Sequence, residues 1–157
     1  MGRTCQGLSV SDNLTTKTIR VAAAIIFNDD QQLLLVRKRN TRFFMQVGGK
    51  LEANESSEAA IIRETFEETG CHSHIVQSLG RFETQAANEP DHSLIADVYL
   101  LQLEGQPQIQ AEIAQMKWIS VDDQHTPLAP LTREIVLPWC VNYLASRETE
   151  AAATQTG

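Results

Sequence analysis

Between residues 48 and 71 the chain reads GGKLEANESSEAAIIRETFEETGC, a run in which acidic side chains recur at helical spacing. The pattern predicts a helix from Ser56 to Thr69, with Ser56 or Ser57 as N-cap and Gly70 as the C-terminal stop. At 100° per residue Glu64, Glu67 and Glu68 share one face at i, i+3 and i+4, and Arg63 lies at its border beside Glu67. Ala59, Ile62, Phe66 and Thr69 fall opposite and are expected to pack against a sheet. Two unit charges ~6 Å apart at an effective dielectric of ~20 repel by about 3 kcal/mol, and an exposed pair by a few tenths. The helix dipole is also negative in these last turns. A divalent cation between the oxygens removes both penalties, and hard carboxylate oxygens suit Mg²⁺ or Mn²⁺. The same spacing also describes a solvated acidic face, and the wheel alone does not choose. Upstream, Gly48-Gly49 lets the backbone approach another group closely, and Glu55 stands just ahead of the helix.

As one string, the segment resembles the signature of the Nudix hydrolases, G-x5-E-x7-R-E-U-x-E-E-x-G-U, where U is a bulky aliphatic. Counting from Gly49, the residues Glu55, Arg63, Glu64, Glu67, Glu68 and Gly70 match in register. Thr65 and Cys71 stand where aliphatics are usual, and Val47 where many relatives carry proline. The resemblance implies an α+β fold of the Nudix type, an α/β/α sandwich with a mixed β-sheet. It implies metal-dependent hydrolysis of a nucleoside diphosphate linked to another group. Glu64, Glu67 and Glu68 would then coordinate Mg²⁺ (or Mn²⁺), with Glu64 the first choice to activate water. Glu55 would support the metal's water shell, Arg63 would hold a glutamate by an ion pair, and the carbonyl of Gly48 or Gly49 could add a ligand. Some relatives carry a further glutamate six residues before a tryptophan; Glu112 and Trp118 have that spacing, which makes Glu112 the candidate extra ligand or base.

On the substrate side, Gly49 and Lys50 of the same segment are expected to meet the ligand. Arg37, Lys38 and Arg39 could hold phosphates, although alternation puts Arg37 and Arg39 on one side and Lys38 on the other. Phe44 and Trp118 could stack on a base or equally fill the core. The polar loop 86–92, AANEPDH, is the expected specificity element, while His72, His74, His92 and His125 show no ligand spacing and read as surface residues. No proline of the ADP-ribose type stands at Ala86 or Ala87, and TPLAPLTRE holds no base-reading asparagine. A nucleoside triphosphate, oxidised or not, giving nucleoside monophosphate and pyrophosphate is the first expectation. ADP-ribose or nucleotide-sugar hydrolysis, or a catalytically silent nucleotide-binding module, are the alternatives.

These residues must be positioned by one domain. The 157 residues are 42% hydrophobic and 21% charged, which excludes wholesale disorder and a coiled coil. Extended segments are expected at Ile19–Phe27, Gln32–Val36 (its hairpin partner across the Asn28-Asp29-Asp30 turn), Phe43–Val47, His74–Phe82, Leu94–Leu103 and Gln115–Val121. A final helix is expected over Thr132–Ser146, with Pro138 as a kink or near its start. Residues 1–17 and 147–157 are expected to be flexible flanks of a domain spanning 18–146. A net charge of −7 disfavours nucleic acid, and no apolar stretch is long enough for a bilayer. Cys5, Cys71 and Cys140 form no CxxC pair and suit reduced thiols in a cytoplasmic protein. Monomer and homodimer stay open.

Overall fold

The computed structural model of the chain describes residues 17–156; the expectations for residues 1–16, Cys5 among them, lie outside these. The elements run β1 (Lys17–Ile26), β2 (Leu33–Lys38), β3 (Val47–Lys50), α1 (Ser57–Thr69), β4 (His72–Gln85), β5 (His92–Glu104), β6 (Ile113–Ile119), a π-helical turn (Thr132–Val136) and α2 (Leu137–Thr156). A four-stranded mixed sheet has the order β3-β1-β5-β4. Within it β1 and β5 are parallel, while β3 and β4 are antiparallel to their neighbours. A second sheet contains β2 and β6 alone, antiparallel.

Strand alternation divides the core into two. Ala23 and Ile25 face α2 with Val136 and Cys140, whereas Ala22, Ala24 and Ile26 face α1 with Ala60 and Ile61. Helices therefore cover both faces of the sheets, which is the expected sandwich. Among the described residues no helix is long and apolar enough to cross a membrane.

The register departs from expectation in four places. β2 touches β1 through the Phe27–Leu33 bridge and then leaves to pair with β6, so the tight hairpin is not continued. The expected Phe43–Val47 strand shifts to Val47–Lys50, which puts both glycines inside the ladder opposite Ala22 and Ala23. The last helix opens with a wide π turn whose Leu137 N–H bonds Thr132 O. That widening precedes Pro138, which has no N–H to give and would crowd a regular turn. α2 then continues through Thr156, ten residues past Ser146, on a stretch (RETEAAATQT) whose Arg, Glu, Ala and Gln residues favour helix over its three threonines.

The fourth departure concerns α1. Its buried residues are Ser57, Ala60, Ile61, Thr65, Glu68 and Thr69, while Phe66 is 47% exposed and stacks on His72 with ring centroids 4.9 Å apart. Of the expected packing face Ile62 and Thr69 do pack, while Ala59 and Phe66 face outward, and the helix turns Glu68 of its acidic side inward. Small Ala60 permits close approach to Ala22 and Ala24, and buried Glu68 has Lys38 and the Gly48 amide as partners that offset part of its desolvation.

Asp97 ties this layer down at the N-terminal end of α1. It accepts hydrogen bonds from Ser57 Oγ, Arg81 Nε (2.7 Å) and Arg20 Nη2 (3.2 Å). Burial pushes its carboxyl up, but the bonds from Arg81, Ser57 and Arg20 prevail and hold it at about 2.

Candidate active site

α1 begins on Ser56, whose Oγ accepts from Ala59 N–H, and ends on Gly70 in the left-handed region with its N–H on Phe66 O. No basic residue occupies the last turn. The counter-charges come instead from Arg63, one turn back, and from a neighbouring strand.

Arg63 is the hub. Its Nε and Nη2 hold both oxygens of Glu55 at 2.8 Å, and Nη1 holds Glu64 Oε2 at 2.9 Å and the Glu67 oxygens at 3.3 Å. Nη2 also bonds the Lys50 carbonyl at 3.2 Å, which fixes β3 against the helix. The hydrogen bond from Arg63, helped by the Glu52 N–H, holds the Glu55 carboxyl at about 2; the same bond raises Arg63.

Glu68 is the buried member, 5% exposed. Its Oε1 accepts from Gly48 N–H at 3.2 Å, and its Oε2 lies 3.3 Å from Lys38 Nζ. Burial pushes this carboxyl up to about 7 against the pull of Lys38 and the Gly48 amide. Lys38 Nζ also donates to the Gly48 carbonyl at 3.1 Å. A cation therefore already sits between two oxygens of this cradle. Space requires a glycine at 48, where a Cβ (φ 151°) would lie 2.1 Å from Ala22 O; at Gly49 a Cβ would overlap the Glu64 carboxylate, a side-chain end that could move only by leaving its place. Among the described residues no three acidic, His or Cys side chains converge as a bound metal would arrange them; Glu64 is paired with Arg63 and Glu68 with Lys38.

A cavity of about 230 Å³ opens beside this cluster. Lys38, Gly48, Gly49 and Lys50 form its near end; Ile19, Val21 and Leu94 form apolar walls; Gln85–Glu89 and Ala129–Leu131 close the far side. Gln46 also lines it, 4% exposed, with its Oε1 accepting from Thr132 Oγ1 at 2.6 Å and its Nε2 lacking any partner.

The expected residues separate into two groups. Glu55, Arg63, Glu64, Glu67, Glu68, Gly48, Gly49 and Lys50 come together, and the 86–89 part of the loop reaches the cavity. Arg37 points elsewhere, bonded to Gln115 Oε1 and Thr41 O, because alternation sends Lys38 to the site instead. Arg39 is exposed and its N–H bonds the carbonyl of Glu112, itself exposed on the loop into β6 and absent from the partners of Arg63 and Lys38. Phe44 is a core residue under Lys117, and Trp118 packs with the α1-side core, so neither lines the cavity. None of the four histidines is buried. Gln46 and Thr132 went unrecognised, while Lys38, weighed with Arg37 and Arg39 as a phosphate contact, is the one of the three that reaches the site. Strand parity already set Lys38 apart, whereas a polar residue next to the glycine pair carried no signal for Gln46.

A glutamate cluster bound to an arginine on a sandwich helix, beside a glycine pair and a cavity, defines a Nudix-type hydrolase domain. The NUDIX domain model matches residues 17–140, and the chain belongs to the Nudix hydrolase family. It is 33% identical over 120 residues to an uncharacterized Nudix hydrolase of Bacillus subtilis, covering 71% of this chain and 72% of that one. It is 29% identical over 100 residues to a putative 8-oxo-dGTP diphosphatase of the same organism, covering 63% of this chain and 64% of that one, just under two thirds of the relative's length. The MutT Nudix hydrolase of Burkholderia pseudomallei superposes with a TM-score of 0.67 at 26% identity, covering 78% of this chain and 97% of that structure.

Proposed function

We propose that the chain is a pyrophosphohydrolase, dependent on Mg²⁺ or Mn²⁺, that converts a nucleoside triphosphate and water into a nucleoside monophosphate and pyrophosphate. The observation that carries this reading is the junction of two unlike regions: the carboxylates gathered by Arg63 lie directly behind Gly49 and Lys50, which with Lys38 and Gly48 line the polar end of a largely apolar cavity. A triphosphate and a base have that same polarity profile.

Glu64, Glu67, Glu68 and the Gly48 carbonyl would hold the cation, an all-oxygen donor set suited to Mg²⁺ or Mn²⁺. Their fit is supported by the cation that Glu68 and Gly48 already accept, the Lys38 ammonium. When bound, a divalent ion polarises the phosphoryl oxygens and acidifies water. Arg63 orients Glu64 and Glu55 through its hydrogen bonds, which would place Glu64 to take a proton from the attacking water. Lys38, once freed from Glu68, and Lys50 lie within the cavity's near end to receive phosphate charge. The sequence is phosphoryl transfer by positioning and charge compensation.

The test is product analysis with Mg²⁺ across canonical and oxidised nucleoside triphosphates, ADP-ribose and nucleotide sugars. Monophosphate and pyrophosphate from a triphosphate, stopped by chelator, is the expected result. Preference for ADP-ribose or a sugar nucleotide would replace the substrate assignment, and silence across the panel with nucleotide still bound would leave a regulatory module.

A further inference from the structure

Gln46 is a polar side chain in an apolar setting, and only half of its amide is accounted for. It lies on β3's approach, two residues before Gly48, and is 4% exposed. Thr132 Oγ1 meets its Oε1 at 2.6 Å, while Nε2 is buried without a hydrogen-bond partner. Leaving a buried donor unpaired is costly, so such a group is usually matched by something the protein alone does not contain. Gln46 is also a wall of the cavity whose near end is Lys38, Gly48, Gly49 and Lys50 and whose apolar walls are Ile19, Val21 and Leu94. An occupant of that cavity, extending away from the phosphate end, meets Gln46 between apolar walls, with Gln85, Asn88 and Glu89 as further polar lining; of these amides Gln46 is the one that is buried with a donor left unpaired.

We infer that Gln46 is a specificity residue whose Nε2–H donates to a ring carbonyl of the substrate's base, so that the site takes oxopurine or pyrimidine nucleotides and disfavours adenine. This rests on the nucleotide reading above and narrows it. A carbonyl oxygen is the acceptor that guanine, hypoxanthine and the pyrimidines carry and adenine lacks. Thr132 is the positioning residue. By holding Oε1 it fixes the amide plane and leaves Nε2 as the free end, and it does so from the π turn that also brings Leu131 to the cavity. Sites built around a hydrogen bond to substrate reject analogues lacking the partner far more strongly than apolar pockets reject a size change.

Inosine and adenosine triphosphates differ at the 6-oxo or 6-amino group and its ring proton, and they provide the test. Wild type is expected to show kcat/KM at least about tenfold higher for ITP than for ATP, the effect of roughly one hydrogen bond. Gln46→Met is expected to bring the two together by lowering the ITP value, and Thr132→Val to narrow the gap partway. Binding of IMP and AMP without metal gives a second readout, with IMP at least about tenfold tighter in wild type alone. Thermal unfolding checks that each variant is folded, and Thr132→Val serves if Gln46→Met is not. Equal use of ITP and ATP, preference for ATP, or a preference that survives in both variants overturns the role of Gln46 and leaves the hydrolase reading standing. No turnover of any triphosphate, with IMP still preferred and the preference lost in Gln46→Met, upholds Gln46 and overturns the triphosphatase reading. No turnover and no difference in binding overturns both.

Discussion

Gly49 lies flush against the carboxylate of Glu64: a methyl group in place of its α-hydrogen would meet Glu64 Cδ at 2.6 Å and both oxygens at 2.7 Å. The obstacle is the end of a flexible side chain, so Gly49→Ala is expected to fold normally while displacing Glu64 and lowering turnover at least roughly tenfold. At Gly48 the obstacle is backbone, Ala22 O at 2.1 Å, with φ at 151°. Gly48→Ala is therefore expected to cost about 2 kcal/mol or more of stability. Thermal unfolding and steady-state kinetics on the two variants separate these effects; equal stability loss in both would contradict the assignment.

Arg63 serves three carboxylates and a carbonyl with one planar guanidinium. A lysine keeps the charge but cannot supply donors in that fork. Arg63→Lys is expected to lower kcat by about 10–100-fold with modest change in unfolding temperature. Unimpaired turnover in this variant would show that charge alone, not geometry, is what the cluster needs.

Glu67 is half exposed and, among the described residues, pairs with Arg63 alone, so Glu67→Gln should leave the fold intact. Turnover with Mg²⁺ is expected to fall roughly 100-fold or more, as for loss of a charged group at a developing-charge site. Chelator is expected to abolish wild-type activity and added Mg²⁺ or Mn²⁺ to restore it. Activity that persists in chelator would remove the metal from the proposal.

Asp97 gives a stability prediction with a definite sign. Its carboxyl is held at about 2, below the usual 3.8. The folded state therefore binds this proton less readily than the unfolded chain, and the stabilisation is complete above about pH 4 and lost as pH falls through about 2. The shift corresponds to about 1–2 kcal/mol, reduced from its full value because Arg20 and Arg81 are half exposed. Denaturant unfolding of wild type and Asp97→Asn should differ by that amount at pH 7 and converge toward pH 2. A difference constant across that range would assign the loss to packing.

The helix and its glutamates were legible because their determinants are local: cap, spacing and stop lie within fifteen residues, Ser56 to Gly70. The face that packs was not. A hydrophobic wheel weighs Phe66 heavily, whereas the buried side mixes Ala60 and Ile61 with polar residues, of which Ser57 and Glu68 are met by Asp97, Gly48 and Lys38 from elsewhere in the chain. The same limit explains β2. Its preference for β6 is decided by pairs such as Leu34–Trp118, and no short-range signal reports them. Lys38 reached the site by parity alone, yet recognising it required knowing that Gly48 and Glu68 would face it.

The two internal cations have a consequence for the order of events in the chain's life. Arg63 and Lys38 neutralise the acidic cluster from within, so the carboxylates can be drawn together while the polypeptide is still folding, before any divalent ion arrives. Unlike a zinc finger, whose unmetallated form is unfolded, this chain would accumulate in a metal-poor setting as an assembled but idle stock. Supply of the ion would then switch on existing molecules at once, without new synthesis.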